Sequence, residues 1–509
     1  MSGVLRPGSD AGAHHMLDVF ETSSPRPPSL LQALVPLAVL VGLLALSVRL
    51  YGDGASGGPN QLALLFAAMV AALVGIRNGL TWRHIQDAIV RAVAMATAAI
   101  FILLAVGALI GTWMLCGTVP TLIDYGLRLM DASWFYPAAC LLCAVVSLAI
   151  GSSWTTAGTI GVALIGVAQG LGLSPAITAG AVVSGSYFGD KMSPLSDTTN
   201  LAPAAAGSEL FAHIRHMAWT TLPAFAVALA LYTLIGGQAD GVVELGDLSA
   251  AMRREFAMGP WLLVPLIVVL ALAVRGFPAF PAILIGALLG AVFAAVFQPD
   301  QAVRLAADET LSRPLAVLSG AWKALYQGYR SETGVTAVDE LLSRGGMSSM
   351  LSTVWLIFSA MAFGGAMERA GLLERLIRSV LVAARSTGSL ISATLATAFV
   401  TNVLAADQFI AIIIPGRIFR GEYARRGLAP VNLSRALEDA GTLTSALVPW
   451  NTCGAYMAAT LGVATLDYAP YAFLNWLTPL VAAGFAYAGV KILRADAVVG
   501  PIGDNRLRG

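Results

Sequence analysis

Long runs of apolar residues recur along this chain, and they restrict its fold more than any other feature. Runs such as 31–50, 61–76 and 213–236 approach the roughly 20 apolar residues that a helix needs to cross the hydrocarbon core of a bilayer. The composition agrees, because 57% of the residues are hydrophobic and 12% are charged, whereas soluble proteins carry about 25% charged residues. The chain is therefore predicted to be an all-α polytopic membrane protein.

The charges and cysteines argue against several classes of protein. The formal net charge is +1 and the basic residues form no cluster, so no nucleic-acid partner is predicted. The four cysteines lie in apolar runs and are predicted to be small buried side chains, without a disulfide framework or a metal site. The sequence shows no nucleophile–base pair and no metal-ligand spacing, so neither an enzyme nor a cofactor is predicted.

A polar segment interrupts one of the apolar runs. Gly189–Asn200 reads GDKMSPLSDTTN and contains the ionisable residues Asp190, Lys191 and Asp197. Pro194 lacks a backbone donor and ends any helix that reaches it. Polar side chains and unpaired backbone are tolerated at membrane depth only where they face protein or a wet cavity. The segment is predicted to break a transmembrane helix; the alternative, a polar loop outside the membrane, fits the long apolar flanks less well.

Two further runs are predicted to fold back as helical hairpins. The run 134–172 would be roughly 60 Å long as one helix, about twice the hydrocarbon thickness, and polar residues interrupt it at Gly151–Gly158. A second run, 388–420, is predicted to break around Thr401–Asn402 and Asp407. The hairpins either re-enter the membrane or consist of two full spans.

The two halves of the chain match when one is shifted by 255 residues. This register pairs Pro175 with Pro430, Pro194 with Pro449, Gly207 with Gly462, and the hairpin break at Ser152 with Asp407. Each half contains three spans, a hairpin, a broken segment and a final span. A hairpin adds either no crossing or two, so each half crosses the membrane an odd number of times. Two inverted repeats are therefore predicted, each with a helical hairpin and a discontinuous transmembrane helix.

The predicted organisation has five parts. They are a disordered N-terminal tail at 1–29, a first repeat at 30–236, a linker at 237–258, a second repeat at 259–494 with a polar insertion at 299–346, and a C-terminal tail at 495–509. A short amphipathic segment at 118–131 is predicted at the membrane interface, and 372–386 is also predicted to be amphipathic. With the N-terminus inside, 19 Lys and Arg residues face the cytoplasm and 9 face outward. The positive-inside rule thus predicts cytoplasmic N- and C-termini.

Oxygen-bearing side chains gather at the predicted breaks. Carboxylate, hydroxyl and amide oxygens are the ligands that hard cations prefer, and burial favours the neutral form of a carboxyl group, so one carboxylate can alternate between a proton and a cation. The predicted ion- and substrate-binding residues are Asp190, Lys191, Ser193, Ser196, Asp197, Thr198, Asn200, Ser152, Ser153, Thr156, Asn402, Asp407, Asp439, Asn451 and Thr452.

Some polar residues also have structural alternatives. Glu438 and Asp439 lie one helical turn from Arg435, and in the structural alternative Arg435 bonds one of them. Lys191 is an alternative internal counter-ion that is released when a cation leaves. His213 and His216 begin a span and are expected to lie at the interface.

The polar segment, extended to Ala202, resembles the signature of the NhaC family of sodium/proton antiporters. Gly364–Gly371 and Val448–Gly454 extend the resemblance over most of the chain. The resemblance implies exchange of Na⁺ for H⁺ by alternating access across a bacterial cytoplasmic membrane. It implies a first-half site made of Asp190, Ser196, Asp197, Thr198 and Asn200, with Ser196, Asp197 and Thr198 as Na⁺ ligands.

Other functions stay open at this point. The family resembled also includes exchangers of organic acids such as malate and lactate, so a Na⁺- or H⁺-coupled exchanger of small organic acids or amino acids is the main alternative. An ion channel is a further alternative, but the predicted pseudo-symmetric site argues against it. The predicted partners are Na⁺, H⁺, a small carboxylate in the alternative, and the lipid bilayer; a homodimer is left open. Asp197→Asn and Asp190→Asn are both expected to abolish transport without loss of folding.

Overall fold

The computed structural model describes residues 26–237, 250, 252–332, 339 and 341–495. Most of the two predicted tails and of the predicted linker lies outside these residues. The described part is helical and contains no strand; one isolated antiparallel bridge joins Leu428 and Arg494. A helix bonds its own backbone groups internally, and this is what allows an apolar segment to lie in hydrocarbon.

Among the described residues, eight helices are long and apolar enough to cross a membrane. They are Leu30–Tyr51, Pro59–Arg77, Trp82–Leu115, Ala132–Ile150, Leu210–Gly236, Ala279–Phe297, Met347–Arg369 and Thr387–Ala405. Two shorter apolar helices, Pro260–Val274 and Phe473–Ala488, fall where the sequence predicts spans at 259–275 and 468–493. The predicted all-α polytopic membrane fold is confirmed.

Residues 26–237, the described part of the first half, form ten α-helices and one π turn. They are α1 (Leu30–Tyr51), α2 (Pro59–Arg77), α3 (Trp82–Leu115), α4 (Thr118–Leu129), α5 (Phe135–Ile150), α6 (Ser153–Thr156), the π turn Ala157–Gly161, α7 (Val162–Gly170), α8 (Pro175–Met192), α9 (Asp197–Ala206) and α10 (Leu210–Gly236).

The described residues of the second half form the matching helices and, in the polar insertion, two additional ones with defined bounds. They are α11 (Val264–Val274), α12 (Ala279–Phe297), α13 (Pro299–Ala306), α14 (Arg313–Tyr326), α15 (Leu351–Arg369), α16 (Leu372–Ala383), α17 (Thr387–Ala405), α18 (Gln408–Arg425), α19 (Pro430–Leu437), the π turn Glu438–Thr442, the 3₁₀ turn Leu443–Leu447, α20 (Thr452–Leu461), α21 (Thr465–Tyr468) and α22 (Phe473–Ala488).

The helix boundaries repeat at an interval of 255 residues. The helix α8 covers Pro175–Met192, and the helical stretch at 430–447 has the same two boundaries shifted by that interval. The pairs 153–170 and 408–425, and α9 and α20, follow the same register. The internal repeat read from the prolines and breaks is therefore present in the helices. The opposite membrane orientation of the two halves stays a prediction.

Both hairpins turn at a residue in the left-handed region. This residue is Gly151 (φ 74°) in the first hairpin and Ala406 (φ 57°) in the second. The following residues, Ser152 and Asp407, cap the next helices through their side chains. Both breaks are narrower than predicted, and Thr401–Asn402 remain inside α17. The cap after the left-handed residue satisfies the exposed backbone N–H groups, so a break of two residues is sufficient.

Two glycines allow the first hairpin to lie directly against the broken helix. A Cβ atom on Gly185 would collide with the backbone of Cys140, and one on Gly189 with the backbone of Ala144 and Leu148. The absence of a side chain lets the backbones of α5 and α8 approach closely, as at other contacts between membrane helices. This contact fixes where the hairpin tip lies relative to the break.

The helix α4 differs from the interfacial segment predicted at 118–131. Its first residues, including Thr118 and Ile123, are buried. Asp124 is also buried and forms ion pairs with Arg253 and Arg128. The polar residues of α4 therefore bond other parts of the protein, and the helix packs between neighbours.

Candidate functional site

The polar segment Gly189–Asn200 forms the predicted break in a helix. The helix α8 ends at Met192 and α9 begins at Asp197. Thr199 Oγ1 donates to the carbonyl oxygens of Asp190 (3.2 Å) and Lys191 (2.9 Å), which lie in the last turn of α8. Asn200 Nδ2 donates to the carbonyl oxygens of Pro194 (2.9 Å) and Ser196 (2.7 Å). Part of the motif thus serves to satisfy the backbone groups that the break exposes.

Asp190 is buried where the break meets the first hairpin tip. Its Oδ2 accepts hydrogen bonds from Ser153 Oγ (2.6 Å) and Ser153 N (3.2 Å), and the Ser196 hydroxyl lies close to the same carboxylate. Ser153 is the first residue of α6, so the carboxylate faces the N-terminus of a helix, where negative charge is stabilised. Asp190, Ser153 and Ser196 form the first-half cluster.

The other predicted ligands of the first half divide into two groups. Thr198 is buried, with its Oγ1 3.2 Å from Ser196 Oγ. Asp197 and Asn200 are exposed, although Asp197 is predicted from the sequence to lie at membrane depth. The reason is local: both side chains lie on the outer side of the first turn of α9, whereas the side chain of Thr198 points inward. The predicted Na⁺ set is therefore not gathered around Asp197.

Three further residues of the predicted site mainly support the local backbone. Ser152 caps α6 by accepting from Thr155 N. Thr156 Oγ1 donates to the carbonyl oxygen of Ser152 (2.9 Å). Ser193 is buried and accepts from Leu195 N (3.3 Å). They hold the hairpin tip and the break in shape.

The second half brings its predicted residues together at the matching position. Asn451 Nδ2 donates to the carbonyl and side-chain oxygens of Asn402, each at 3.1 Å. Thr452 Oγ1 lies 3.5 Å from Asp407 Oδ2, while Asp407 Oδ1 accepts from the backbone of Phe409 and Ile410. Asp407, Asn402, Asn451 and Thr452 are all buried. The second-half cluster has one carboxylate, as the first does.

Aromatic side chains connect the two clusters. The ring of Trp154, beside Ser153, stacks on that of Tyr456 with centroids 4.0 Å apart. Tyr456 in α20 also donates its hydroxyl to the carbonyl oxygen of Trp154 (2.8 Å). The hairpin tip of the first half is thus attached to the broken helix of the second.

A buried ion pair makes a second connection between the halves. Lys191 Nζ lies 2.5 Å from Asp439 Oδ1, and both side chains have 0% exposure. Thr220 Oγ1 in α10 donates to the same oxygen at 3.1 Å. Asp439 stands in the π turn Glu438–Thr442. Lys191 is therefore an internal counter-ion in this state, with a partner 248 residues away in the chain.

The alternative bond from Arg435 to Glu438 or Asp439 is not formed. Arg435 is buried, and its Nη1 donates to the carbonyl oxygen of Lys491 (3.3 Å). His213 and His216, expected at the interface, are also buried, and His213 Nδ1 lies 2.8 Å from Ser434 Oγ. The contacts come from α19, a distant part of the sequence that covers the start of α10. No signal within a single helix could indicate them.

The site consists of oxygen ligands. Among the described residues, no group of three or more His, Cys, Asp or Glu side chains could hold a metal ion. The clusters instead combine one carboxylate with hydroxyl and amide oxygens, a set suited to weak and reversible binding of a hard cation.

A family model described as the Na⁺/H⁺ antiporter family matches residues 185–490. The chain belongs to the Na⁺/H⁺ antiporter family. The match begins at Gly185 within α8 and extends past the end of α22, so it includes the breaks of both discontinuous helices, the second hairpin and the Lys191–Asp439 pair.

Three proteins that are similar to this chain have names that state different substrates. It is 39% identical to the Na⁺/H⁺ antiporter NhaC of Alkalihalophilus pseudofirmus, over 85% of this chain and 91% of the relative. It is 36% identical to a malate-2H⁺/Na⁺-lactate antiporter of Bacillus subtilis, over 91% and 96% of the two chains. It is also 36% identical to the arginine/ornithine antiporter ArcD of Halobacterium salinarum, over 93% and 95%.

A cavity of about 440 Å³ opens beside the second break of this antiporter-family chain. Pro449 and Trp450 line it on the side of the broken helix, and Asn60 and Leu356 line it on the side of α2 and α15. The cavity thus lies between the helices that carry the site and those that surround it. Pro449 and Trp450 of the second break thus face a space of the size of a small solute.

Proposed function

We propose that this protein is a secondary transporter that exchanges Na⁺ for H⁺ by alternating access. Family membership supports the reaction. The observation that supports the site is the buried Asp190 carboxylate, which faces the N-terminus of α6 across a break in α8–α9 and is surrounded by hydroxyl groups. Such discontinuous helices bind ions and substrates in many secondary transporters.

The proposed Na⁺ ligands are Asp190, Ser153, Ser196 and Thr198. Their oxygen atoms come from the hairpin and from both sides of the break, so movement of one element changes the coordination. The second-half cluster, with Asp407, is proposed to stabilise the second hairpin tip. Asp197 is proposed to face the aqueous approach to the site, because it is exposed one residue before Thr198.

The proposed location is the bacterial cytoplasmic membrane, with both termini in the cytoplasm. Contacts among loops support this orientation. Arg426 Nη1 donates to the carbonyl oxygen of Ser386 (2.9 Å), and Arg494 Nη1 donates to that of Arg426 (3.1 Å). The backbone of Arg26 bonds that of Asn78 (2.8 Å). Arg426 and Arg494, both assigned to the cytoplasm, therefore lie on the same side of the protein, which is consistent with the positive-inside rule.

A second candidate function is exchange of small organic acids or amino acids. Relatives of similar identity are named as malate/lactate and arginine/ornithine antiporters. The cavity beside Trp450 also has room for a solute larger than a cation. In this candidate the first-half cluster would bind the coupling ion, and the cavity would admit the organic substrate.

A flux measurement separates the two candidates. Purified protein is reconstituted into vesicles that contain a pH-sensitive dye and have an imposed proton gradient. Na⁺, K⁺, malate, lactate and ornithine are then added one at a time. Proton movement on addition of Na⁺ alone supports Na⁺/H⁺ exchange. A response that requires malate, lactate or ornithine would replace this proposal with the second candidate.

A further inference from the structure

The helix α14 in the polar insertion exposes an apolar face that the exchange site does not use. Leu315, Leu318, Trp322 and Tyr326 follow each other at intervals of three or four residues, so they lie on one side of the helix. Their exposed fractions are 54%, 60%, 65% and 40%. The only charged residue between Leu315 and Tyr326 is Lys323, which projects beside these side chains because consecutive helical residues point about 100° apart. The four side chains form the apolar face of α14.

The opposite side of α14 is packed closely against the rest of the protein. Ala316, Gly320 and Ala324 are buried. A Cβ atom on Gly320 would collide with the backbone of Ala302 in α13, and one on Gly111 in α3 would collide with the carbonyl oxygen of Ala324. These backbone contacts fix the rotation of α14, so the apolar face cannot turn toward the protein interior.

The insertion that contains α14 is not part of the repeated architecture. In the first half, residues 78–81 connect α2 to α3, whereas the corresponding connection in the second half, from α12 to α15, contains α13 and α14. The proposed Na⁺ ligands belong to α6, α8, α9 and the break between α8 and α9, so the insertion supplies none of them. We therefore looked for a function of the insertion that is separate from ion exchange.

The position of α14 favours the bilayer as the partner of its apolar face. The helix follows the membrane span α12 after the short helix α13, and it packs against both α12 and the span α3. Trp322 and Tyr326 stand on the apolar face, and Lys323 stands beside them. Aromatic side chains with neighbouring basic residues are typical of the boundary between hydrocarbon and water. An amphipathic helix of this kind lies in the membrane interface with its apolar face toward the lipid chains.

A cavity of about 620 Å³ lies beside the last turn of α14. Its charged lining residues are Lys323 of α14, Arg304, Arg330, Glu255 and Glu332. Arg304 and Glu255 form an ion pair at 2.8 Å and compensate each other. The remaining charged side chains are two cations, Lys323 and Arg330, and one carboxylate, Glu332. The cavity therefore has an excess of positive charge next to the apolar face.

The two remaining cations have donors available for an anion. Lys323 Nζ donates to the carbonyl oxygen of Ala306 at the end of α13, and an ammonium group has three donors. Arg330 is exposed, and its side chain has no ion pair or hydrogen bond to any described residue. Phosphate oxygens accept charge-assisted hydrogen bonds from both types of side chain.

The wall of the cavity is held by buried hydrogen bonds. Gln301 Nε2 donates to Glu255 Oε1 (2.6 Å) and to the carbonyl oxygen of the same residue (2.7 Å). The Tyr329 hydroxyl donates to Gln301 Oε1 (3.1 Å), and both Gln301 and Tyr329 are buried. These bonds join α13 to the segments before α11 and after α14. The cavity is thus formed before a ligand binds, which lowers the cost of binding.

We propose that the cavity binds the phosphate group of a phospholipid whose acyl chains lie against the apolar face of α14. Lys323 and Arg330 donate hydrogen bonds to the phosphate oxygens, and Trp322 contacts the chains next to the headgroup. The two parts of the lipid match two adjacent surfaces, a positively charged cavity and an uncharged face. The bound lipid attaches the insertion, and with it the end of α3, to the bilayer. The proposal does not depend on which ions the protein exchanges.

Thermal unfolding of the full-length protein in detergent, after removal of lipid, tests the proposal. Dioleoylphosphatidylethanolamine is added in one series. Dioleoylglycerol, which has the same chains without the phosphate, and inorganic phosphate are added in two others. We expect the phospholipid to raise Tm and the other two compounds to leave it nearly unchanged, because each of them fits only one of the two surfaces. An equal rise with dioleoylglycerol or inorganic phosphate, or no rise with the phospholipid, would overturn the proposal.

The double variant Lys323→Gln/Arg330→Gln connects the effect to the cavity. It should lose most of the rise in Tm that the phospholipid produces, because both phosphate donors lose their charge. Arg49→Gln/Arg254→Gln is the matched control, since it removes two exposed arginines that do not line the cavity. The control should keep the rise. A full rise in the cavity variant, equal to that of the control, would contradict the proposal.

A fluorescence measurement in vesicles tests the apolar face separately and leaves the cavity intact. The emission that is lost in Trp322→Phe gives the contribution of Trp322 itself. In phosphatidylethanolamine/phosphatidylcholine vesicles with brominated acyl chains this contribution should be strongly reduced, because bromine quenches tryptophan at short distance. Equal contributions of Trp322 in brominated and unbrominated vesicles would overturn the proposal. Disulfide cross-linking of two copies through Trp322→Cys would also overturn it, and would assign the apolar face to a contact between copies of this chain.

Discussion

Two aspartates of the same polar segment have different environments in the folded protein. Asp190 is buried and bonded to Ser153, whereas Asp197 is exposed. The sequence identifies both as intramembrane acids, and composition cannot rank them. Their difference arises from the turn between α8 and α9, which directs adjacent side chains to different sides. The structure therefore favours Asp190 over Asp197 as the carboxylate that binds Na⁺.

Asp190→Asn is expected to abolish stabilisation of the protein by Na⁺. The amide keeps the size of the carboxylate but removes the negative charge that compensates the cation. Thermal unfolding of the purified protein, with and without NaCl at constant ionic strength, measures the effect. Asp197→Asn serves as the matched variant and should keep most of the Na⁺-dependent shift in Tm. A full loss in Asp197→Asn with none in Asp190→Asn would reverse the assignment.

The buried pair Lys191–Asp439 is expected to be needed for stability. Removing one partner leaves an uncompensated buried charge, at a cost of about 3–5 kcal/mol. Lys191→Met should therefore lower Tm strongly. The double variant Lys191→Met/Asp439→Leu should recover a large part of the loss, because no charge remains unpaired. Equal losses in the single and double variants would show that the pair is not the source of the effect.

At the level of helices, most breaks could be predicted from the sequence, because Pro, Gly and side-chain caps act locally. The ends of α8 and α9 and the return at Gly151–Ser152 are of this kind. The π turn Glu438–Thr442 was not predicted. Its residues are compatible with a regular α-helix, and its partner Lys191 belongs to another repeat. Side chains brought together by packing, such as Glu438 and Thr198, have no local signature.

The contact between α5 and α8 is expected to tolerate no side chain at Gly185. A Cβ atom there would collide with the backbone of Cys140, so the hairpin would have to move away from the break. Gly185→Ala should lower Tm and reduce Na⁺ uptake. Gly484→Ala is the matched control, because the space around Gly484 in α22 is open; that variant should be neutral or slightly more stable. Comparable behaviour of the two variants would argue against a close-packing role for Gly185.

For the molecule as a whole, the predicted repeat agrees with the helix boundaries, whereas its orientation in the membrane rests on charge and on loop contacts. The interval of 255 residues could be read from a few prolines because both halves use the same caps and breaks. The contacts between the two halves could not be read from the sequence. The Trp154–Tyr456 stack and the Lys191–Asp439 pair each join residues more than 240 positions apart, and no periodicity within a helix predicts such contacts.

The orientation makes a prediction about access from the two sides. Gly54 lies in the loop after α1, and Gly421 lies near the end of α18; a side chain fits at both positions. The four native cysteines are buried and should react slowly. In intact cells, an impermeant thiol reagent should label Gly54→Cys, and it should label Gly421→Cys only after permeabilisation. The opposite pattern would invert the topology, and labelling of both in intact cells would place the two loops on the same side.

Uptake of radioactive Na⁺ into vesicles with an acidic interior tests the exchange of Na⁺ for H⁺ at the Asp190 site most directly. The vesicles contain the unmodified protein or Asp190→Asn, and no organic substrate is added. We predict Na⁺ uptake with alkalinisation of the interior for the unmodified protein, and neither movement above that of protein-free vesicles for Asp190→Asn. Coupled uptake by Asp190→Asn at the unmodified rate, or no uptake by the unmodified protein without an organic acid, would contradict this assignment.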